Sequence, residues 1–471
     1  MINMDWIKTE LGGLYGSTVI QEISEIIRLY ELYEGPRLGD TKPQEGDSPE
    51  RVTRLRTNYI KKLIKDESRF MVGRAPELRV VADKADAKAA STIEDYLTDT
   101  LAANRWQRLL INGVRDCFVG KRVALCLDGA PGGQIGIRFV PSTEFVYEVD
   151  NDGVLTKIIL FFGINDQLER SQQRIYHKRL WLDGGKCLMD EGVYDGYGRQ
   201  VELRHSAEPT GLDFVPAYVI VNDGLTGDLC GESDVRELSE NQRAYDNLKC
   251  DDIDALKFNM FPQKVLVDAS QASVEHVVIA PGALIDLQTD PSKPSGSASA
   301  TVLETQFGYD ARYEHTVDRI KQDMYGLISV PDVAVEQLQG VAGSGKAMRA
   351  VYWGLICRCE EKWAEWDDAL RWMVRRLVDM ARIYGAAQLP EIDYTVRVEH
   401  LYPIPDDEED ERTRDLDEVS RGARSKLSYI RKWQPDADAE GELMQIQAEQ
   451  RAQDAYGMAV AGELGGGGTG V

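Results

Sequence analysis

The stretch that decides the fold is Gly308–Gly385, in which two helical patterns flank a loop of small and amide residues. The first pattern, Tyr309 to Ile328, is short and charged, and Pro331 stops it. The loop from Asp332 to Lys346 reads DVAVEQLQGVAGSGK. The second pattern, from Ala347 to Tyr384, reads AMRAVYWGLICRCEEKWAEWDDALRWMVRRLVDMARIY. As one helix it would be about 57 Å long, far more than a typical globular helix, which indicates a mechanical element rather than a catalytic pocket.

Composition places the chain among globular proteins, with length for roughly three domains. Of its 471 residues, 43% are hydrophobic and 28% are charged, so a sizeable core can form. The formal net charge is −24, which argues against a tight DNA binder that uses a basic patch. An acidic wall would still let DNA slide past, because it holds no phosphate. Acidity that serves solubility alone explains the charge equally well.

Seven cysteines are spread irregularly along the chain, and no CxxC pair occurs. This usage is typical of reduced cytosolic proteins, so we expect free thiols and synthesis in the cytosol. The strongest apolar run, Ile158 to Ile164, is far too short to span a bilayer, and no membrane contact is expected.

The chain before Gly308 changes from helical patterns to strand patterns and back. Four helical patterns come first: Ser17–Tyr33, Arg51–Met71, Ala85–Arg105 and Trp106–Phe118. Strand patterns follow at Arg122–Leu127, Gln134–Val140, Phe145–Val149, Leu155–Phe162, Arg174–Leu182 and Val215–Val221. The helical period returns from Ser233 to about Phe258. Strand candidates then alternate with a Pro- and Ser-rich loop: Lys264–Val267, Val274–Ile279, Ala283–Leu287 and the loop Thr289–Ala300. This order predicts an α+β fold in which two charged helices carry a compact β-rich insert.

The chain after Gly385 is predicted to be mostly helical. A short strand at Tyr394–Val398 precedes helices at Asp410–Gly422, Ser425–Trp433 and Ala437–Gly462, and a disordered tail at Gly465–Val471. The acids Asp406–Glu411 are either an interaction patch or a solvated helix start. The second interpretation is preferred, because negative charge favours the N-terminal end of the helix dipole.

Gly340–Lys346 fits the GxxxxGK half of a phosphate-binding loop, in which Lys346 would reach the terminal phosphates of a nucleotide. Three features count against this. Ala347 stands where a Ser or Thr hydroxyl should bind magnesium, the preceding segment Val333–Gln339 is polar and short, and no apolar strand ending in Asp follows. A glycine-rich loop at the start of the long helix is the preferred interpretation, and no cofactor is expected.

No set of catalytic or metal-binding residues emerges. The five histidines are widely separated, none lies three or four residues from a cysteine or another histidine, and neither GxSxG nor HExxH occurs. We therefore expect no catalytic residues and no metal. Four tryptophans recur at near-helical spacing and are predicted to pack in the core rather than to stack on nucleic-acid bases: Trp353, Trp363, Trp366 and Trp372.

Several segments, taken in order, resemble the portal proteins of long-tailed bacteriophages. They are Asn58–Ile64 with Phe70–Pro76, Asn104–Trp106 leading to Gly120 and the strand at Arg122, Val140–Glu144, Val215–Asn222 with Gly231–Asp234, and Ser344–Met348. The similarity spans about Asn58 to Tyr384, and the order and spacing of these motifs carry it.

The resemblance implies a portal-type architecture. In it, 1–232 is an α/β wing, 233–258 and 309–330 are two stem helices, and 259–308 is a β-rich clip. Residues 331–346 would be the channel loop, 347–385 a long wing and crown helix, and 386–471 a helical crown with a flexible tail. The resemblance also implies a virion protein at the portal vertex, assembled in the host cytoplasm as a ring that is usually of twelve subunits. Its implied partners are the large subunit of terminase, a head-tail connector or adaptor, major capsid and scaffolding proteins, and passing double-stranded DNA.

Two sets of residues follow as candidate sites. In the channel loop, Gln337, Gln339, Ser344 and Lys346 are candidates for transient contact with the DNA backbone. A ring closes through heterologous contacts, so each subunit must present two different faces. Six stem residues suit such contacts: Arg236, Glu237, Glu240, Arg243, Asp246 and Lys249. Two alternatives remain open: a nucleotide-binding enzyme that uses Gly340–Lys346, and another minor structural protein of the phage head.

Overall fold

The computed structural model describes residues 17–35, 55–164, 172–195, 199–260, 263–267, 299–303, 310–332, 345–404, 408–434 and 440–449, with positions 289, 292, 308 and 438. Helices and antiparallel sheets are both present, which confirms the predicted α+β class. The chain divides into two compact units. The first comprises Met1–Asp332 with Tyr352–Pro403, and the second comprises Val333–Val351 with Ile404–Val471. Within the described ranges, no helix has the length and apolar character needed to cross a bilayer.

The helices of the first unit are α1 (Ser17–Glu34), α2 (Tyr59–Val72), α3 (Ala87–Ala103), α4 (Trp106–Gly120), α5 (Asp234–Met260), α6 (Asp310–Leu327) and α8 (Trp353–Tyr384). The second unit contains α7 (Gly345–Val351), α9 (Glu408–Ser420), α10 (Lys426–Trp433) and a helical segment at 440–449. Local signals fix several helix ends. The Asn58 side chain accepts a hydrogen bond from the Lys61 amide and so caps α2, and Gly385 ends α8 in the left-handed conformation.

The described strands form four antiparallel sheets. The strands β1 (Glu77–Val81) and β12 (Thr395–Glu399) pair with each other, and β2 (Arg122–Asp128) lies between β3 (Gly136–Pro141) and β9 (Ala217–Val221). Five strands form a meander in chain order: β4 (Phe145–Val149), β5 (Leu155–Ile164), β6 (Arg174–Asp183), β7 (Lys186–Asp195) and β8 (Gln200–Pro209). In the insert, β10 (Gln263–Val267) pairs with β11 (Ser299–Leu303) so that Gln263 lies opposite Leu303.

Helix α1 covers the five-stranded sheet, and helix α8 runs through the core of the first unit. Ile23 of α1 packs in one cluster with Val146, Ile159, Phe161 and Ile175 of the sheet. On α8, Trp363 and Trp366 are buried, which confirms their predicted place in the core. Trp372 is half-buried beside Tyr218, but Trp353 is 64% exposed, so the prediction for Trp353 is wrong.

The predicted 38-residue helix pattern is divided in the structure. Tyr352 interrupts it between α7 and α8, and the Tyr352 ring stacks on Phe70 of α2 at 5.2 Å. The prediction of one unbroken helix from Ala347 is therefore wrong, and α7 begins earlier, at Gly345, so that Lys346 lies in a helix rather than in the loop.

Some of the other predicted helices and strands agree with the structure, and some strands of the structure were not predicted. The helices predicted from Ser233 and from Tyr309 correspond to α5 and α6, but β1, β7, β8 and β11 were not expected. The strand candidates Val274–Ile279 and Ala283–Leu287 and the tail Gly465–Val471 lie outside the described residues.

Candidate functional site

Ionisable side chains from four parts of the first unit meet where helix α5 begins. Glu67 comes from α2, Asp223 from the loop after β9, Asp234 from the start of α5, and Arg358 and Lys362 from α8. The side chains of Glu67, Asp234 and Lys362 are almost completely buried, at 0%, 2% and 1% exposure. We call these five residues the buried charge cluster.

Lys362 is the centre of the cluster. Its ammonium donates to Asn222 Oδ1 at 2.7 Å and Asp223 Oδ2 at 2.8 Å, and it lies 3.2 Å from both carboxylate oxygens of Asp234. The same nitrogen lies 4.3 Å above the Phe118 ring, where a cation is favoured. All three hydrogens of the ammonium thus have acceptors, which offsets the cost of burying the charge.

Arg358 joins the start of α5 to the end of α6. Its Nε donates to Glu67 Oε1 and its Nη2 to Asp234 Oδ1, each at 2.8 Å. Its Nη1 reaches the carbonyl oxygen of Leu327, the last residue of α6, at 3.5 Å. One guanidinium therefore contacts α2, the first residue of α5 and the last residue of α6.

The loop before α5 is shaped by its own hydrogen bonds. The backbone of Asn222 pairs with Lys121 and Glu232, and its side-chain amide donates to the Glu232 carbonyl at 2.8 Å. Ser233 caps α5 by accepting from the Val235 amide, while its hydroxyl donates to the carbonyl oxygen of Val119 at 2.7 Å. The start of α5 is therefore fixed to the end of α4 before the cluster adds its charges.

The environment shifts the pKa values of several of these groups. Burial, and then the charge of Asp234, raises the pKa of Glu67 to about 7 against the opposing effect of Lys362 and Arg358. Burial alone would raise the pKa of Asp223, but Lys362 and Arg358 outweigh it and hold that pKa below its usual value. Burial likewise opposes the charge on Lys362, but Asp234, Glu67 and Asp223 outweigh it, so the pKa of Lys362 is raised.

The contacts of the buried charge cluster hold structural elements of the first unit together. Every cation in it is saturated by carboxylates, so none is placed to receive a substrate anion. Across the part of the chain that the structure describes, no three or more His, Cys, Asp or Glu side chains are arranged to hold a metal ion. The cluster connects α2, α5 and the end of α6 to α8 through hydrogen bonds of Arg358 and Lys362.

The six stem candidates separate into two groups. Three belong to contacts within the subunit: Glu237 lies 3.6 Å from Arg358, Asp246 accepts from the Thr57 amide and from Gln242, and Lys249 lies over the Tyr245 ring. The other three, Arg236, Glu240 and Arg243, are exposed on one face of α5. Among the described residues, no ion pair joins these three to another side chain.

Of the four channel-loop candidates, the structure describes only Lys346. It is exposed and is the second residue of α7, while Gln337, Gln339 and Ser344 lie outside the described residues. Most of the possible phosphate-binding motif, Gly340–Ser344, lies outside them as well.

Sequence reasoning missed Arg358 and Lys362. A usable signal was present, because Leu355, Cys359, Trp363 and Trp366 mark the buried face of α8, and the two cations fall within that apolar pattern. A basic residue at a core position predicts buried acids on a neighbouring element. Which acids these are could not be read from the sequence, since they come from segments up to 291 residues away.

A family model described as "Phage portal protein, SPP1 Gp6-like" matches residues 18–456, nearly the whole chain. Comparison with curated proteins finds no match.

Proposed function

Because this chain belongs to the SPP1 Gp6-like phage portal proteins, we propose that its subunits close into a ring at a capsid vertex and that duplex DNA passes through the hole. The family match over residues 18–456 is the observation that carries this proposal, and it confirms the family that the sequence motifs indicated. The family is a structural one, whose members belong to the capsid vertex of the virion.

Each part of the chain receives a role in this proposal. Residues 1–232 form the wing, α5 and α6 form the stem, and 259–308 form the clip, which docks the large subunit of terminase and later the head-tail connectors. Residues 331–346, up to the second residue of α7, form the channel loop, 347–385 form the long helical part of the wing and crown, and 386–471 form the crown. Capsid and scaffolding proteins surround the assembled ring, for which we propose twelve subunits.

The proposed mechanism is physical. A chain with a net charge of −24 offers DNA few phosphate contacts, so the duplex is held weakly and slides. Transient contacts with the DNA backbone are assigned to Gln337, Gln339, Ser344 and Lys346. The energy for packaging comes from a separate terminase, in line with Ala347 at the place of a magnesium-binding hydroxyl.

Two structural features support the stem assignment. The exposed charges of α5 that form no ion pair with any described residue are suited to contacts between subunits. The buried charge cluster fixes the start of α5 to α2 and α8. A helix pair that is anchored at one end and charged along its outer face can form the wall of a channel while the clip at its far end binds other proteins.

The oligomeric state and shape of the purified protein test the proposal directly. Native mass spectrometry and negative-stain electron microscopy of the purified full chain should show closed rings with a central hole. Monomers only, or flat lattices, under every condition of salt and concentration would contradict the proposal. ATP hydrolysis by the pure protein that is lost in Lys346→Ala would instead favour the nucleotide-binding alternative.

A further inference from the structure

The outer face of α5 carries a graded stripe of charge. Five residues spaced three or four apart lie on this face, and all are exposed: Arg236, Glu240, Arg243, Asn247 and Asp251. Basic residues predominate near the start of the helix, and the stripe ends in an acid. We call this set the α5 stripe.

The outer face of α6 carries a second stripe with the same order of charges along the chain. Arg312, His315, Arg319 and Asp323 recur three, four and four residues apart and are all exposed. Here the basic residues lie toward the start of the helix, and the acid lies near its end. We call this set the α6 stripe. Among the described residues, no ion pair occupies the Arg or Asp side chains of either stripe.

The two helices run in opposite directions. Arg358 contacts both Asp234 at the start of α5 and Leu327 at the end of α6. Beyond the other ends of the two helices, Gln263 lies opposite Leu303 in the β10–β11 pair. Read from the buried charge cluster outward, the α5 stripe therefore changes from basic to acidic, while the α6 stripe changes from acidic to basic.

The opposite charge gradients of the α5 and α6 stripes suit contact with a second copy of the same chain. A closed ring needs two different faces on each subunit that complement each other, and oppositely graded faces on α5 and α6 meet that requirement. Resting on the ring proposed above, we infer that the α5 stripe of one subunit docks on the α6 stripe of the next. Arg236 and Arg243 then face Asp323, and Asp251 faces Arg312 and Arg319.

A mixing experiment tests this inference. One full-length variant carries Arg236→Glu with Arg243→Glu, which reverses the basic end of the α5 stripe, and the other carries Asp323→Arg on the α6 stripe. Each alone should lose at least tenfold in ring yield by native mass spectrometry, because every interface then brings like charges together. An equimolar mixture should recover rings in which the two variants alternate, because each altered α5 stripe meets an altered α6 stripe and each unaltered stripe meets an unaltered one.

The remaining outcomes separate this inference from the proposed function. Glu314→Lys, on a different exposed face of α6, is the matched control and should assemble like the unaltered chain. Normal rings from both reversed variants, or the absence of rings in the mixture, would overturn the inference while the ring proposal stands. Normal rings that fail only to bind a connector protein would assign the stripes to that partner and also overturn it. Failure of the unaltered chain to form rings would overturn the proposed function itself.

Discussion

The carboxyl group of Glu67 is buried beside Arg358 and Lys362, and its two oxygens differ in their hydrogen bonding. Its Oε1 accepts from Arg358, while its Oε2 is buried and has no hydrogen-bond partner among the described residues. An unsatisfied buried oxygen favours the neutral form of the acid. Glu67 is therefore the member of the buried charge cluster whose protonation changes near neutral pH.

Replacing Glu67 by Gln keeps an oxygen for Arg358 but removes the titration. The folded chain holds the Glu67 proton up to about pH 7, whereas the unfolded chain releases it near the ordinary value of 4.5. The folded state thus binds more protons within this window, and stability falls as the pH rises through it. We expect Glu67→Gln to gain stability relative to the unaltered chain between those pH values, by on the order of 3 kcal/mol.

Urea unfolding at a series of pH values measures this difference. Other titrating groups, such as Asp116 with a pKa raised by burial to about 6, are present in both chains and cancel in the comparison. A difference between the two chains that stays constant from pH 4.5 to pH 7 would show that Glu67 does not titrate there.

Lys362→Met should be strongly destabilising. The Met side chain fills a similar volume but leaves Asp223, Asp234 and Glu67 with Arg358 as their only cation in the cluster, and breaking a buried ion pair in this way costs about 3–5 kcal/mol. The matched control on α8 is Arg371→Met, whose half-exposed ion pairs with Asp367 and Asp368 contribute less than about 1 kcal/mol. Equal shifts of the urea midpoint in the two variants would refute this ranking.

At the scale of elements, the start of α5 depends on one glycine. Gly231 has φ +71°, and a Cβ placed there would lie 2.6 Å from the carbonyl oxygen of Lys121. That oxygen is backbone and also accepts from the Asn222 amide, so it cannot move aside without loss of the loop geometry. The turn that leads into the proposed stem therefore requires glycine at this position.

Gly231→Ala should cost about 2 kcal/mol or more, because the strained backbone conformation and the steric clash add. Gly227→Ala in the same loop is the control, since it has φ +80° but no atom within 4 Å of the added Cβ, and should cost only about 1 kcal/mol. Thermal or urea unfolding of both variants measures the difference. Equal costs would show that the contact with Lys121 is not limiting.

The elements that could be predicted from sequence are those whose pattern is local. Helices α5 and α6 have their own helical periodicity, and the Asp128-Gly129 turn marks the end of β2. Strand β8 was missed because nearly all of its residues are exposed, which leaves no alternation between buried and exposed positions. The break at Tyr352 was missed because it coincides with stacking on Phe70, which lies on a distant helix. Local sequence patterns therefore predicted the helices of the proposed stem but not the buried charge cluster at the start of α5.

At the scale of the whole molecule, net charge governs how the proposed ring treats DNA. A subunit charge of −24 multiplied around a ring repels phosphate overall, so contacts with DNA must be few and local. Each phosphate neutralised by Lys or Arg adds about one unit to the salt dependence of binding. The number of contacts is therefore measurable without knowing where they lie.

We expect assembled rings to bind short duplex DNA weakly, with a log–log dependence of affinity on salt whose slope is about −2 or shallower. Fluorescence anisotropy between about 50 and 200 mM salt measures that slope, and a protein with six to ten phosphate contacts would lose about 10³- to 10⁵-fold in affinity over this range. If Lys346 contacts the backbone as proposed, Lys346→Ala should flatten the slope by about one unit. Lys186→Ala, at an exposed position of the proposed wing, should leave it unchanged. A steep slope that Lys346→Ala leaves unaltered would mean that DNA is gripped elsewhere on the ring, and the weakly adhesive channel would have to be abandoned.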